Sequence, residues 1–352
     1  MKRYLIIIIL LSLASGASAA DFGNLAVSVE NLKRMDNSLD IQPVPVLYPP
    51  DRYSPPDDIS TEYSAAFSVS DPGQSEALFR KLRGYRILFV PGFLSNLTVN
   101  PGFVEGSAES SGGGDYFNAQ IAWLRAGGVD AWIVDIESEE GSQFNAKRIT
   151  QSVISSPKPV IIVAHSKGGV DTLEALLSDN QTDGKVAGVI TIQSPLLGTP
   201  VADFVLENGF LSTLLRRALI TLGGSDRSLR DLSVKRRRSY FQDNSAAISG
   251  LTARTPFICF GSWVGSGGFT LGATHDYLQG LGMDNDGLVP ARNTALPGSW
   301  TIAVGGLDHQ ITVKDNASSG FDRIRFLKTL LGLLDARISG IPRPVLAPAA
   351  EM

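Results

Sequence analysis

The chain has 352 residues, 43% hydrophobic and 19% charged, with a net charge of −4. So much apolar side chain builds a core and excludes disorder as the main state. A lone Cys259 excludes intrachain disulfides and thiolate zinc sites, and the acidic balance gives no electrostatic footprint for nucleic acid. Lys2 and Arg3 open the chain, Tyr4 to Leu13 is apolar, and Ala17-Ser18-Ala19 is a run of small residues. This is the layout of a secretory signal over residues 1–19, with cleavage after Ala19, or after Ala20 as the alternative. An uncleaved anchor is the rival reading, but the apolar run is shorter than the roughly 20 residues of a spanning helix. The expected location is outside the cytoplasm, periplasmic or secreted. Residues 20–83 read as an irregular arm. Pro43, Pro45, Pro49, Pro50, Pro55 and Pro56 hold its middle extended and bar it from a central strand.

The pattern changes near residue 84. Tyr85 to Val90 is an apolar run closed by Pro91-Gly92 and reads as a buried strand. Further strands are expected at Asp130 to Val134, Val160 to Val163, Val186 to Ile192, Pro256 to Phe260 and Trp300 to Val304. Helices are expected at 115–126, 145–154, 170–177 and 322–338. Strands apolar on both faces and alternating with helices imply a mostly parallel sheet covered on both sides, an α/β fold over residues 84–338. Its ligand edge lies where the strands end. Residues 339–352 read as a loose tail.

One strand end carries chemistry. Ala164-His165-Ser166-Lys167-Gly168-Gly169 follows a strand and opens a helix. It fits the G-x-S-x-G pattern with alanine in the first small position. The turn is strained and closely packed, so bulk two residues either side of the serine is excluded, and Oγ is left exposed above the sheet. Ser166 is the candidate nucleophile; a plain capping serine is the bland alternative.

With these residues the chain resembles the α/β-hydrolase superfamily, and within it bacterial lipases and esterases. Ser194-Pro195-Leu196-Leu197-Gly198-Thr199-Pro200 resembles a lipase segment that follows the next strand. The resemblance implies a central, mostly parallel sheet with a helical cap inserted. It also implies the order Ser, then Asp or Glu, then His along the chain. Only His165, His275 and His309 exist. His165 adjoins the serine and reads as packing. His309 follows the Trp300–Val304 strand and is the candidate base. Asp284-Asn285-Asp286-Gly287-Leu288-Val289 resembles the segment around the lipase acid, which selects Asp286, with Asp284 as the alternative. The oxyanion donors implied are the backbone N–H groups of Lys167 and Phe93. Pro91 stands where lipases usually carry a histidine that braces the loop.

Residues 201–255 are too long for a bare loop and read as a helical cap, either a mobile lid or a helix packed permanently on the core. Phe210, Leu211, Leu214, Leu215, Ala218, Leu219 and Leu222 make an apolar stripe in it. The insert carries nine basic residues against five acidic ones, with Arg236, Arg237 and Arg238 consecutive. That suits peripheral contact with an anionic lipid interface or, equally simply, a solvated helix face. The glycine-rich runs 107–114 and 261–268 are expected to border the pocket. No cofactor is implied. Asp284 and Asp308 are candidate calcium ligands, yet Ile311 stands where a further carboxylate is usual, so no metal is expected. The expected activity is hydrolysis of carboxylic esters, small or lipidic, by Ser166, Asp286 and His309. Amide, thioester and polyester cleavage, protein deacylation and non-catalytic lipid or partner binding are the alternatives. Oligomeric state is left open.

Overall fold

The computed structural model describes residues 56–340, except 70–72, 94, 96–102, 106–114, 139, 179, 208–226 and 315–319. The expected signal, the tail beyond Gly340, the first glycine-rich run and the apolar stripe at 210–222 lie outside the described residues; Ser339 and Gly340 end the last helix rather than open a loose tail.

Seven strands form one sheet: β1 (Asp57–Asp58), β2 (Arg86–Val90), β3 (Asp130–Ile133), β4 (Val160–His165), β5 (Val186–Ile192), β6 (Phe257–Trp263) and β7 (Trp300–Gly305). Their order is β1-β7-β6-β5-β4-β2-β3, and every pairing is parallel. All six residues of β4 are buried, as a central strand covered on both faces requires.

Side chains alternate between the two faces. Ile87, Phe89, Ile161, Val163, Ile190, Ile258 and Phe260 join one core cluster; Leu88, Val90, Ile162, Val189, Phe257 and Cys259 join the other. The first face is covered by α1 (Ser60–Ser68), α2 (Gly73–Leu82), α3 (Asn118–Ala126) and α11 (Arg323–Gly340). Phe326, Leu327, Leu330, Leu331, Leu334 and Ile338 put the apolar stripe of α11 against the sheet. Gly188 lets it come close, because a Cβ there would lie 2.9 Å from Leu334 Cδ1. The second face is covered by α4 (Ser142–Ile154), α5 (Lys167–Ser178), α8 (Val234–Asp243) and α9 (Ser245–Arg254). Between α5 and α8 lie α6 (Pro200–Glu207) and the short α7 (Arg227–Asp231); α10 (Gly268–Gly280) follows β6.

Several expectations change. Within the expected arm, residues 57–69 and 73–82 belong to the packed body: β1 pairs with β7, and Tyr63 is buried against Phe260 and Phe326. β1 is an edge strand; of the six prolines only Pro56 is among the described residues. The C-terminal part of the expected cap is core rather than lid. Phe241, Ile248 and Leu251 pack with Phe257 and Cys259 over the second face. Arg237 is buried as well, its Nε donating to the Leu196 carbonyl at 2.8 Å and its guanidinium lying 4.2 Å from the Tyr240 ring centroid. It therefore leaves the surface charge cluster. Gly261 is strand, not loop; a Cβ there would meet Thr294 Oγ1 at 2.5 Å. Among the described residues no helix is long and apolar enough to cross a membrane.

Candidate active site

The candidate nucleophile sits where β4 turns into α5. Ser166 has φ +54°, a left-handed conformation that costs a non-glycine residue energy. Neighbouring chain holds it there. Its N–H donates to the Ile192 carbonyl at 2.9 Å, and its carbonyl accepts the Gly169 N–H at 3.1 Å. Gly168 is required: a Cβ would lie 2.4 Å from the Val90 carbonyl oxygen and 2.5 Å from that of Pro91. Gly169 is equally confined, with Ser194 Oγ 2.2 Å from any Cβ. The helix begins directly at Lys167, three residues earlier than expected. The Lys167 side chain is buried and its Nζ binds both Asp171 oxygens, at 2.9 and 2.7 Å; Asn145 Nδ2 donates to Asp171 at 2.8 Å. A charge this deep is tolerated only when so paired, and the cluster locks the first turn of α5 to α4.

His309 lies on the loop after β7. Its Nε2 is 2.9 Å from Ser166 Oγ, and its Nδ1 is 2.8 Å from Asp286 Oδ2. The pattern fixes the tautomer: Nδ1–H donates to the carboxylate, leaving Nε2 to accept the serine proton. Asp286 Oδ1 accepts the N–H groups of Leu288 and Val289 at 3.0 and 2.8 Å, which orients the carboxylate. The His309 N–H also donates to the Asp286 carbonyl at 2.9 Å. All three residues are buried. Asp284 is exposed and is not in this row.

Side chains from remote strands hold the base loop. Gln193, at the end of β5, is fully buried with φ +50°. Its Nε2 donates to the Asp308 carbonyl and to Ser262 Oγ, both at 2.7 Å, and its Oε1 accepts Thr312 Oγ1 at 2.7 Å. Ser262 Oγ donates to the Leu307 carbonyl at 2.9 Å. Asp308 Oδ1 accepts the N–H groups of Gln310 and Ile311. The acid turn is held likewise. Val264 N–H donates to the Asn285 carbonyl at 3.0 Å, and His275 Nε2–H donates to the Val264 carbonyl at 3.0 Å. Among the described residues, no group of three or more His, Cys, Asp or Glu is placed to hold a metal.

His165 is more than packing. Its Nε2 contacts the His309 carbonyl at 2.9 Å and its Nδ1 contacts Tyr116 Oη. Burial, with His309 beside it, pushes its pKa well below the usual histidine value. The loop expected to supply an oxyanion donor is next to it. A Cβ on Gly92 would lie 2.9 Å from Ser166 Cβ, so the loop bearing Phe93 runs against the nucleophile. Motif reading missed Tyr116 and Gln193, whose partners are far away in sequence. A polar residue right after a buried strand is the one local sign that pointed at Gln193.

No family model and no curated protein matches the chain. Among solved structures, it is similar to a metagenomic carboxyl esterase, with TM-score 0.62, 18% identity, and 88% of this chain and 99% of that one covered. It is also similar to the mature form of a lipase from Bacillus licheniformis, with TM-score 0.50, 25% identity, and coverage of 69% and 87%. A third is a phospholipase from Legionella pneumophila, with TM-score 0.50, 13% identity, and coverage of 73% and 61%. Seven parallel strands, helices on both faces, a serine on the turn after the central strand, and these likenesses together establish that the chain has the α/β-hydrolase fold.

Proposed function

We propose that the protein is a serine hydrolase that cleaves carboxylic esters through an acyl-enzyme. The observation that carries the reading is the hydrogen-bonded row Ser166–His309–Asp286, with links of 2.9 and 2.8 Å. Ser166 Oγ attacks the acyl carbonyl while His309 Nε2 takes its proton. Asp286 holds the imidazole in register and stabilises the imidazolium that forms. The backbone N–H groups of Phe93 and Lys167 receive the developing oxyanion. His309 then returns the proton to the leaving alcohol, and the C–O bond breaks. Water, deprotonated by His309, attacks the acyl-enzyme in the second half and frees the acid. Every proton moves on His309, so no cofactor enters the scheme.

Structural likeness to a carboxyl esterase and to a 25% identical lipase supports esters over amides and thioesters. Export over the Lys2–Ala19 signal remains part of the proposal, to be tested by N-terminal sequencing of the mature protein. With Arg237 buried, contact with an anionic lipid interface rests on exposed groups such as Arg236 and Arg238. Vesicle binding that survives charge reversal at both would remove that part.

The deciding experiment is hydrolysis of p-nitrophenyl esters of graded chain length by the parent and by Ser166→Ala. The parent should turn over and the variant should fall to background with its fold intact. Activity kept by the variant, or a parent that cleaves only amides or thioesters, would overturn the reading.

A further inference from the structure

The oxyanion loop lacks the histidine expected before Gly92, and the structure fills its place from elsewhere. The Gly92 N–H donates to Tyr116 Oη at 3.0 Å. Tyr116 Oη in turn contacts His165 Nδ1, and His165 Nε2 lies 2.9 Å from the His309 carbonyl oxygen. The proton positions follow from chemistry. The His309 carbonyl can only accept, so Nε2 carries a hydrogen. A neutral imidazole then has a bare Nδ1, which accepts the Tyr116 hydroxyl proton. The hydroxyl oxygen is left to accept from Gly92. One directed chain results: Gly92 N–H to Tyr116, Tyr116 O–H to His165, His165 N–H to His309. Tyr116 is 4% exposed and His165 3%, so water does not compete for these groups.

We infer that Tyr116 and His165 are a positioning pair, a buried relay that sets the oxyanion loop at a fixed place relative to the base loop. The inference rests on the triad reading above. Its two ends are one peptide away from the Phe93 N–H and on the backbone of the base itself. The relay also commits the Gly92 N–H, which leaves the next amide, that of Phe93, as the donor to the oxyanion. Gly92 must be glycine for the relay to close, since a Cβ would lie 2.9 Å from Tyr116 Oη as well as from Ser166 Cβ. Burial, with His309 and Lys314 nearby, keeps His165 neutral, the state the relay needs.

Tyr116→Phe removes one oxygen and keeps the ring. Small displacements of the groups that meet the transition state cost up to about 100-fold, so kcat should fall roughly 10–100-fold while KM stays within about twofold. The affinity for a trifluoromethyl ketone, whose adduct with Ser166 carries the oxyanion, should fall in step. A kcat within about twofold of the parent, or a loss confined to KM, would overturn the inference. Ser166→Ala measured alongside separates the two layers. If it stays active, the triad reading fails; if it is dead while Tyr116→Phe is unimpaired, only the relay fails. A measurement on the unmodified protein needs no variant to fold: the imidazole nitrogen shifts of His165. The relay requires Nε2 protonated and Nδ1 bare at neutral pH, and the opposite tautomer or a charged ring would contradict it.

Discussion

The site has two halves built in different ways. In the nucleophile half the steric demands fall on adjacent residues. Ser166 is held at the turn between β4 and α5, with Gly168 against the Val90 and Pro91 carbonyls and Gly169 against Ser194. The acid–base half is assembled at long range. Asp286 follows α10 rather than a strand, and the His309 loop depends on Gln193, just after β5, and Ser262 from β6. One half is shaped by what backbone and missing side chains allow. The other is shaped by polar side chains that must all find partners, because an unpaired buried group costs about 1–3 kcal/mol.

The contrast predicts different failures. In the acid–base half, Asp286→Asn keeps the shape but loses the carboxylate that fixes the tautomer, and kcat should fall about 10⁴-fold, with the melting temperature nearly unchanged. A fall of less than tenfold would move the acid elsewhere. In the nucleophile half, Gly168→Ala drives a methyl into two backbone carbonyls that cannot yield like a flexible side chain. It should cost about 3 kcal/mol of stability by urea unfolding; a neutral result would mean the elbow is looser than its geometry implies. Gln193→Ala deletes three hydrogen bonds, two to the base loop at Asp308 and Thr312 and one to Ser262 of β6, and should lower kcat about tenfold with little change in KM. Equal losses in kcat and in the affinity of a simple product acid would point to collapse of the pocket instead.

The smallest effect is in pH. Folded His165 stays neutral, while the unfolded chain takes up a proton there below about pH 6.5. The unfolded state then binds more protons, so stability falls as pH drops below that value, by at most about 1.4 kcal/mol per pH unit from this group. His165→Gln should flatten that part of the stability–pH curve, measured by urea unfolding between pH 7 and 5. An unchanged curve would assign the slope to other groups.

This division also explains what was legible in the sequence. The strands at 86–90, 160–165 and 186–192 announce themselves as mostly apolar runs, since each is largely buried on both faces. The elbow announces itself because steric demands fall on adjacent residues. Asp286 and His309 were selected through resemblance and chain order, and the structure places His309 Nδ1 2.8 Å from Asp286 Oδ2. Their supports were not legible: Tyr116 meets His165 across 49 positions and Gln193 meets Thr312 across 119, and no local pattern encodes such pairs. The helices at 60–68 and 73–82 were hidden by the prolines before them. The α1 stretch offers a weak amphipathic signal, and its burial depends mainly on Tyr63 reaching the aromatic cluster of Phe260 and Phe326. The basic run at 235–238 misled because charge alone does not reveal that Arg237 turns inward.

The central claim is that Ser166 is a nucleophile activated by His309. Intact-mass and peptide-mass analysis after treatment with a fluorophosphonate tests it most directly. One adduct per chain is expected, located on Ser166, formed quickly in the parent and very slowly in His309→Ala. No adduct, or an adduct on another residue with Ser166 unmodified, would contradict it.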